Sequence, residues 1–415
     1  MKDRVRLGII GLGGRGVGLL DICLFRMKDV DIVACCDVYQ DRIEHVQKLA
    51  KKHRKMTPCG YSDYKELLAR DDIDAVIISC SWAKHTEIAC AAMRAGKIVA
   101  SEVGGAYTID ECWELVNTYE ETQSPFMILE NCCYGEYELS VLRMVREGLF
   151  GQVVACEGGY GHDLRDEISY GHKNRHYRLE EYRDRNCENY PTHEIGPIAK
   201  VLNINYGNRM ETLVSTSSKS CGLKEYIKDN IPKHKELEEL KDVEWKQGDV
   251  VQTTITCTNG ELIHITLDTT LPRPYSRSFT VHGTKAFYTE NGNYYFMDNN
   301  PLHKAVHFNL PKFFNNGKRY VKKYRHPIWK WFKRNGVKGG HGGMDWLVLR
   351  AFVEAVKKDD KKMPLDVYDA ASWMVITALS DQSIKNNSAV QQFPDFTKGK
   401  WKDRKQEGEG LFFLE

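Results

Sequence analysis

The sequence of 415 residues predicts an α/β domain with a parallel sheet, followed by an α+β domain with an open, mainly antiparallel sheet. Two observations support this. Up to Tyr134, short apolar runs alternate with helical patterns, as in βαβ units. Beyond it, strand-like runs dominate. We therefore place the domains at residues 1–134 and 135–415, and expect the late helices and the tail to pack back on the first domain.

In the first domain, short apolar runs predict strands at residues 5–10, 31–36, 75–79, 97–100 and 126–129. Spaced apolar residues between these strands predict helices at residues 17–25, around Ile43 and Val46, and at 86–94 and 111–120. This alternation is typical of βαβ units in a parallel sheet.

In the second domain, a helix is predicted at residues 138–147, and late helices are predicted at 344–356 and 366–381. Strands are predicted at residues 153–160, 212–218, 250–256, 262–268, 279–282 and 286–289. The dipeptides Asn259-Gly260 and Asn291-Gly292 separate apolar runs, which predicts two-residue hairpins with type I′ turns.

Composition excludes several classes of protein. The net charge of +2 argues against a dedicated nucleic-acid binder. Hydrophobic residues at 42% argue against global disorder, and no apolar run is long enough to span a membrane. The N-terminus shows no secretory pattern, which favours a cytoplasmic protein. The 13 cysteines include no Cys-x-x-Cys pair, so we expect reduced, buried thiols and no metal site.

A glycine-rich turn follows the first predicted strand. Gly11, Gly13 and Gly16 form Gly-x-Gly-x-x-Gly between a strand and a helix, with Gly14 and Arg15 inside the same turn. This context is typical of a dinucleotide-binding Rossmann domain, whose helix N-terminus faces the pyrophosphate. Asp37 ends the second strand, where a carboxylate accepts hydrogen bonds from the ribose hydroxyls and repels a 2′-phosphate. The cofactor is therefore expected to be NAD, the alternative being a glycine turn without a nucleotide.

Polar segments follow the third, fourth and fifth strands at the edge where α/β sheets bind ligands. They contain Trp82 and His85, then Glu102, then Asn131, which we assign to the cofactor. The layout resembles the Gfo/Idh/MocA family of sugar oxidoreductases. That family commonly has Glu-Lys-Pro after the fourth strand, where its lysine assists proton transfer. Here Val103 replaces the lysine, which argues against simple alcohol oxidation.

Further segments resemble one branch of that family, glycoside hydrolase family 109, whose members are NAD-dependent α-N-acetylgalactosaminidases. The matching segments are residues 110–116, 129–131, 158–165, 190–193, 215–220, 272–277, 339–345, 366–373 and 393–396. The resemblance implies a redox route to hydrolysis of a small-molecule or glycan substrate. Bound NAD oxidises the sugar C3 hydroxyl, a base removes the C2 proton, the C1 substituent is eliminated, water adds and the hydride returns.

The same resemblance implies roles for individual residues. Tyr160 is assigned to proton transfer at C2 and the leaving group, and His193 with Tyr190 to the C3 hydroxyl. Arg178 is assigned to sugar contact, and His341 to the lining of the sugar site. Structural interpretations stand beside these roles: a core tyrosine, a helix-capping histidine, a surface ion pair for the arginine and a flexible turn for His341.

The chain departs from the family pattern near these residues, first at residues 186–189, where Asn-Cys-Glu-Asn stands in place of a segment such as Asn-Gly-Asn-Leu. Gly161, Glu181 and Glu194 stand where the family commonly has Gln, His and Gly. His162 and Asp163 are interpreted as a structural hydrogen-bonded pair. The rival functions are an ordinary sugar oxidoreductase and a catalytically silent sugar- or nucleotide-binding protein.

One basic segment stands apart. Residues 304–338 contain 11 Lys or Arg and no Asp or Glu, interleaved with aromatic residues. One interpretation is a flap over the sugar site, and the other is a solvated surface loop with partly buried aromatics. An exposed face of the second domain's sheet would suit a homo-oligomer.

Overall fold

The structure is a computed structural model that describes residues 2–54, 57–358, 361–405, 408 and 410–414. The chain divides into two compact units. The first comprises Met1–Gly135, Pro327–Ala371 and Gln406–Glu415, and the second comprises Glu136–His326 and Ser372–Lys405. Each unit is therefore built from segments that are distant in the sequence.

The strands and helices are numbered along the chain. The strands are β1 Val5–Ile10, β2 Val30–Cys36, β3 Cys59–Tyr61, β4 Ala75–Ile78, β5 Ile98–Ser101, β6 Phe126–Ile128, β7 Val153–Gly161, β8 Met210–Ser217, β9 Val250–Cys257, β10 Leu262–Asp268, β11 Thr280–Gly283, β12 Ala286–Thr289, β13 Tyr294–Met297 and β14 Gln391–Gln392. The helices are α1 Gly14–Ile22, α2 Gln40–Arg54, α3 Tyr64–Leu68, α4 His85–Arg94, α5 Ile109–Thr122, α6 Glu136–Arg146, α7 Arg165–Ser169, α8 Gly171–Asn174, α9 Arg178–Asp184, α10 Thr192–Val201, α11 Gly222–Asn230, α12 Pro301–Ala305, α13 Gly317–Lys323, α14 Pro327–Arg334, α15 Met344–Lys358 and α16 Val367–Lys385.

The first unit contains a six-stranded sheet in the order β3-β2-β1-β4-β5-β6, and every neighbouring pair is parallel. The strand order reverses beside β1, so a crevice opens at the carboxyl ends of β1 and β4. All four residues of β4, and likewise of β5, are buried. Continuous apolar runs of this kind are characteristic of strands covered on both faces. The predicted parallel α/β domain is confirmed.

The second unit contains an eight-stranded sheet in the order β13-β12-β11-β7-β10-β9-β8-β14. All pairs are antiparallel except β7 with β10, which is parallel. The expectation of a mainly antiparallel sheet is confirmed. Helix α10 lies close against β7, because a Cβ on Gly158 would come within 2.9 Å of the Glu194 carbonyl oxygen.

The two predicted type I′ turns are wrong. Type I′ requires positive φ at both central residues, but Asn259 and Asn291 lie outside that region while Gly260 and Gly292 have φ of 95° and 81°. The first loop is a longer turn closed by a Gly260 N–H to Cys257 C=O bond and a Cys257 N–H to Glu261 C=O bond. In the second, Gly292 and Asn293 both have positive φ, at 81° and 47°, so the left-handed pair lies one residue later than predicted.

The basic segment is largely helical and not a loop, since it contains α13, α14 and part of α12. Its aromatics divide by burial: Phe313, Trp329 and Phe332 are buried, whereas Phe308 is 94% exposed. Residues 304–326 belong to the second unit and 327–338 to the first.

All 13 cysteines are free thiols, as expected. Ten are buried, whereas Cys59 is exposed and Cys80 and Cys221 are half-buried. In the part of the chain that the structure describes, no helix has the length and apolar character to cross a bilayer.

Candidate active site

The second unit brings three predicted catalytic side chains together. Tyr160 lies near the end of β7, Tyr190 precedes α10, and His193 lies in the first turn of that helix. The ring centroids of Tyr160 and Tyr190 are 4.4 Å apart, and that of His193 is 4.7 Å from Tyr190 and 5.7 Å from Tyr160. Both tyrosines are buried and His193 is half-buried. The cluster joins two elements that are 30 residues apart.

Two further rings complete this cluster. The Tyr160 hydroxyl lies 3.1 Å from Nδ1 of His162. The Tyr275 ring lies 5.2 Å from His162 and 6.3 Å from Tyr160, and Tyr275 is 48% exposed. The sequence interpretation missed both residues. A signal was available for His162, because residues i and i+2 of a strand point to one face.

The expected His162–Asp163 pair is wrong. The Asp163 carboxylate instead accepts two hydrogen bonds from Arg165, at 2.8 and 2.7 Å. Burial lowers the pKa of His162, and the neighbouring Arg178 cation lowers it further. The neutral imidazole is therefore favoured at neutral pH, and it can exchange a hydrogen bond with the Tyr160 hydroxyl.

Arg178 is the first residue of α9 and lies beneath the aromatic cluster. Its guanidinium carbon is 5.1 Å from the Tyr190 ring centroid, and its Nε is 2.8 Å from Oε1 of Glu167. Only 8% of Arg178 is exposed, so the alternative of a surface ion pair is wrong. Burial lowers the pKa of Arg178, but Tyr160, Tyr177, Glu167 and Tyr190 raise it overall, which keeps the guanidinium charged.

In the first unit, the glycine-rich turn is tightly constrained on one side and open on the other. Gly11 has φ 96°, and a Cβ there would lie 2.4 Å from the Cys80 backbone nitrogen. A Cβ on Gly16 would lie 2.2 Å from the Gly11 carbonyl oxygen. A Cβ on Gly13 would meet only an Arg42 side chain at 3.7 Å, and one on Gly14 would meet nothing within 4 Å. The residues thus fit a phosphate at the start of α1, where the cap residue offers no side-chain hydrogen bond.

Asp37 fixes this turn to the end of β2. Its carboxylate accepts the Leu12 backbone N–H at 2.7 Å and the Tyr39 backbone N–H at 3.0 Å. Arg42 Nη1 lies 3.7 Å from Oδ2 of the same carboxylate. A negative group at this position suits ribose hydroxyls and opposes a 2′-phosphate.

Trp82 and His85 lie just after β4. The indole of Trp82 packs against Gly104, where a Cβ would come within 2.6 Å of Cδ1. His85 is buried with Nε2 3.1 Å from the Cys80 carbonyl oxygen. Burial lowers the pKa of His85 to about 4, so the ring is neutral at neutral pH. Both side chains stabilise the crevice wall.

The remaining predicted residues of the first unit meet at a carboxylate that the sequence interpretation had not selected, Asp345. Arg15 donates two hydrogen bonds to Asp345 at 3.0 Å each, and its Nη2 also lies 2.9 Å from Glu102 Oε1. Asn131 donates to Asp345 at 2.7 Å, and Nδ1 of His341 lies 2.8 Å from it. Asp345 is the last residue of the Gly-Gly-His-Gly-Gly-Met-Asp segment.

Comparison with known families decides the identity of these two units. Residues 134–403 match the model of the glycosyl hydrolase 109 C-terminal domain, which spans most of the chain. Residues 5–129 match the oxidoreductase family with an NAD-binding Rossmann fold.

The chain belongs to glycosyl hydrolase family 109. It is a glycosidase with an NAD-binding domain, and its cofactor is NAD.

Relatives in family 109 resemble the chain over nearly its whole length. A family 109 protein of Stenotrophomonas maltophilia is 40% identical, covering 97% of this chain and 91% of that protein. Proteins named α-N-acetylgalactosaminidase from Shewanella oneidensis and Tannerella forsythia are 37% and 36% identical, over 97% and 96% of this chain and 87% of each of those proteins.

Solved structures support the fold. The WlbA dehydrogenase of Bordetella pertussis, in complex with NADH and UDP-GlcNAcA, aligns with a TM-score of 0.67 at 12% identity, over 95% of this chain and 99% of that one. The myo-inositol dehydrogenase of Lactobacillus casei, in complex with NAD(H) and myo-inositol, aligns with a TM-score of 0.62 at 15% identity, over 99% of each chain.

The position of Gly161, one of the departures inferred from the resemblance, lies against an arginine side chain. Gly161 stands where the family commonly has Gln, and a Cβ at this position would lie 2.1 Å from the guanidinium carbon of Arg273. Arg273 is held there by a 2.7 Å hydrogen bond to Asp268 at the end of β10. A guanidinium thus occupies space that a longer side chain at position 161 would need.

Proposed function

We propose that this family 109 enzyme hydrolyses α-linked N-acetylgalactosaminides, with Tyr160, Tyr190 and His193 as its proton-transferring groups. The observation that carries the proposal is the contact of these three rings above the buried Arg178 cation. Relatives named for this activity are 36–37% identical over at least 96% of the chain, which supports the same substrate class.

The chemistry supplied by bound NAD is reversible hydride exchange at the sugar C3. Backbone N–H groups of the turn from Gly11 to Gly16 would hold its pyrophosphate, and Asp37 would hold a ribose. Arg15, Glu102 and Asn131 would line the cofactor from their shared contacts around Asp345.

Tyr160 would act at C2. A ketone at C3 makes the neighbouring C2 hydrogen acidic, so a weak base suffices to remove it. The positive charge of Arg178 stabilises a phenolate beside it, and His162 at 3.1 Å can carry the phenolic proton. The proton then goes to the C1 leaving oxygen as the C1–O bond breaks, and water adds to the resulting double bond.

His193 and Tyr190 would act at the C3 hydroxyl. An imidazole exchanges protons near neutral pH, and the edge of His193 faces Tyr190 at an interplanar angle of 75°. A route of this kind needs no carboxylate pair flanking C1, in contrast to the usual retaining and inverting glycosidases.

The direct test measures hydrolysis of p-nitrophenyl α-N-acetylgalactosaminide by the NAD-loaded enzyme. Tyr160→Phe and His193→Ala are each expected to lower kcat by about 100-fold or more, since each removes a proton-transferring group. The control is His264→Ala, an exposed histidine on β10 that contacts Thr254, and it should retain full activity. Hydrolysis that survives both active-site substitutions would overturn the proposed roles.

A further inference from the structure

Two buried glutamates flank the catalytic segment without belonging to it. Glu188 lies two residues before Tyr190, and Glu194 follows His193 directly. Their exposed fractions are 0% and 1%. Carboxyl groups this deeply buried are normally paired with a cation or fully hydrogen-bonded.

Neither condition is met here. Glu188 Oε1 accepts the Tyr190 backbone N–H at 3.2 Å, and the Glu188 backbone N–H donates to Ser380 Oγ on α16 at 2.9 Å. Oε2 of Glu188 and both carboxyl oxygens of Glu194 have no well-formed hydrogen bond to other described residues. A buried oxygen that can only accept is destabilised when no donor reaches it, so a proton on the carboxyl would supply the missing hydrogen bond.

The two carboxyls can supply that partner to each other. They interact side chain to side chain, and burial raises the pKa of both, that of Glu188 to about 8. The titratable groups that face Glu188 from neighbouring elements are Tyr182 on α9, Cys187 on the preceding loop and Glu194. Among the described residues no cation contributes to either pKa, so protonation of the pair is what removes the like-charge repulsion.

The position of the pair links it to both catalytic tyrosines. The backbone N–H groups of Tyr160 and Leu267 face the two carboxyls. These two residues are directly paired in the parallel β7–β10 ladder. The close approach of α10 to β7 at Gly158 places the backbone of Glu194 against the same strand.

We propose that Glu188 and Glu194 form a hydrogen-bonded carboxyl pair that is held together by at least one proton and anchors the Tyr190 backbone against β7 beneath Tyr160. Both are then positioning residues for the aromatic cluster, an assignment that rests on the proposed function of that cluster. Removal of the shared proton leaves two buried carboxylates side by side, which forces α10 and β7 apart.

The sign of the pH effect follows from the raised pKa. In the unfolded chain the protons of both carboxyls are lost near the ordinary glutamate pKa of about 4.3, but in the folded protein the pair begins to lose them only at about pH 8. The folded state binds more protons between these values, so stability falls as pH rises through this window. Above it, the geometry of the cluster is disturbed and kcat falls.

The experiment compares wild type with Glu194→Gln, whose neutral amide donates to Glu188 without a titrating proton. In the NAD-loaded enzyme, the alkaline limb of kcat is expected to move upward by about one pH unit or more, with KM changed less than about twofold. The fall in Tm between neutral and alkaline pH is expected to be smaller than in wild type. Glu188→Gln should act in the same way and serves if the first variant does not fold.

Glu138→Gln is the matched control. Glu138 is a buried carboxyl on α6 whose pKa is raised by burial, but it lies 2.5 Å from the Arg277 cation. The Glu138→Gln substitution should leave the midpoint of the alkaline fall in kcat unchanged. An unchanged limb and an unchanged Tm profile in Glu194→Gln would overturn the carboxyl pair even if hydrolysis is normal. Absence of hydrolysis with an altered Tm profile would overturn the proposed function and keep the pair.

Discussion

Asp345 shows how one carboxylate can organise several side chains. Arg15, Asn131 and His341 all contact it, and it is fully buried. Burial alone would raise the pKa of Asp345, but its hydrogen bonds with His341 and Arg15 lower it overall. The ionised form is therefore the one that the fold stabilises.

We expect Asp345→Asn to lower the free energy of unfolding by about 1.5–3 kcal/mol at neutral pH, because the half-buried Arg15 loses one of its two carboxylate partners. A lowered pKa means that the contribution is complete above about pH 4 and is lost as pH falls below that value. The difference in Tm between variant and wild type should therefore narrow in acid.

Thermal melts from neutral pH down to acid measure this effect. Asp298→Asn provides the control, since the Asp298–Lys304 ion pair is exposed and contributes less than about 1 kcal/mol. A difference that stays constant with pH would contradict the role given to the Asp345 charge.

The sequence predicted Tyr160, Tyr190, His193 and Arg178 because they lie in short, ordered segments that resemble a known family. It did not predict Asp345 as a network centre, because its contact with Arg15 spans 330 residues. The Glu188–Glu194 contact was missed for a different reason. Nothing in a glutamate's neighbours along the chain shows that both its carboxyl oxygens are buried.

At the scale of elements, the start of α1 contains a very close backbone contact. A Cβ on Gly16 would overlap the Gly11 carbonyl oxygen. A Cβ on Gly18, two residues further along the same helix, would meet nothing within 4 Å. The backbone contact therefore requires glycine at position 16 but not at position 18.

We expect Gly16→Ala to lower the free energy of unfolding by about 1–3 kcal/mol, because its Cβ would overlap a backbone oxygen. It should also weaken NAD binding, since the turn must open. Gly18→Ala should be neutral or gain up to about 1 kcal/mol, because alanine favours the helix.

Thermal melts and calorimetric titration with NAD compare the pair. Equal losses of stability and of NAD affinity in both variants would contradict the role given to the close contact at Gly16.

Element prediction gave the observed limits for several strands of different lengths, including that at residues 5–10. The strand at residues 262–268 and that at 286–289 have the predicted limits. The hairpin turns were wrong because their type depends on loop length, and a residue on each side of Asn259-Gly260 left the ladder. The parallel β7–β10 pair joins strands that are a hundred residues apart, and strand periodicity does not encode direction.

At the scale of the whole molecule, the nucleotide-binding residues belong to the first unit and the aromatic cluster to the second. The proposed route uses both in every turnover and returns the hydride, so oxidation and reduction cancel. A sugar oxidoreductase would instead accumulate one reduced cofactor for each sugar consumed.

We therefore expect many sugars to be hydrolysed per bound NAD, without a net rise in NADH absorbance. Enzyme loaded with NADH should be inactive until it is reoxidised, because the route begins with an oxidation. Measuring released nitrophenol and NADH together separates the two functions. A one-to-one yield of NADH with free sugar would favour the oxidoreductase.

Because the first unit is built from distant segments of the chain, its parts are synthesised at well-separated times. Asn131 leaves the ribosome 214 residues before its partner Asp345. At about 5–20 residues per second, that interval is on the order of 10–40 seconds. During it the nascent sheet carries Arg15 with Glu102 as a partner but without Asp345. A fragment that stops before Pro327 would lack Asp345 and the helix that carries it, so we expect a nucleotide domain cut after its sixth strand to be less stable than the same unit in the whole chain.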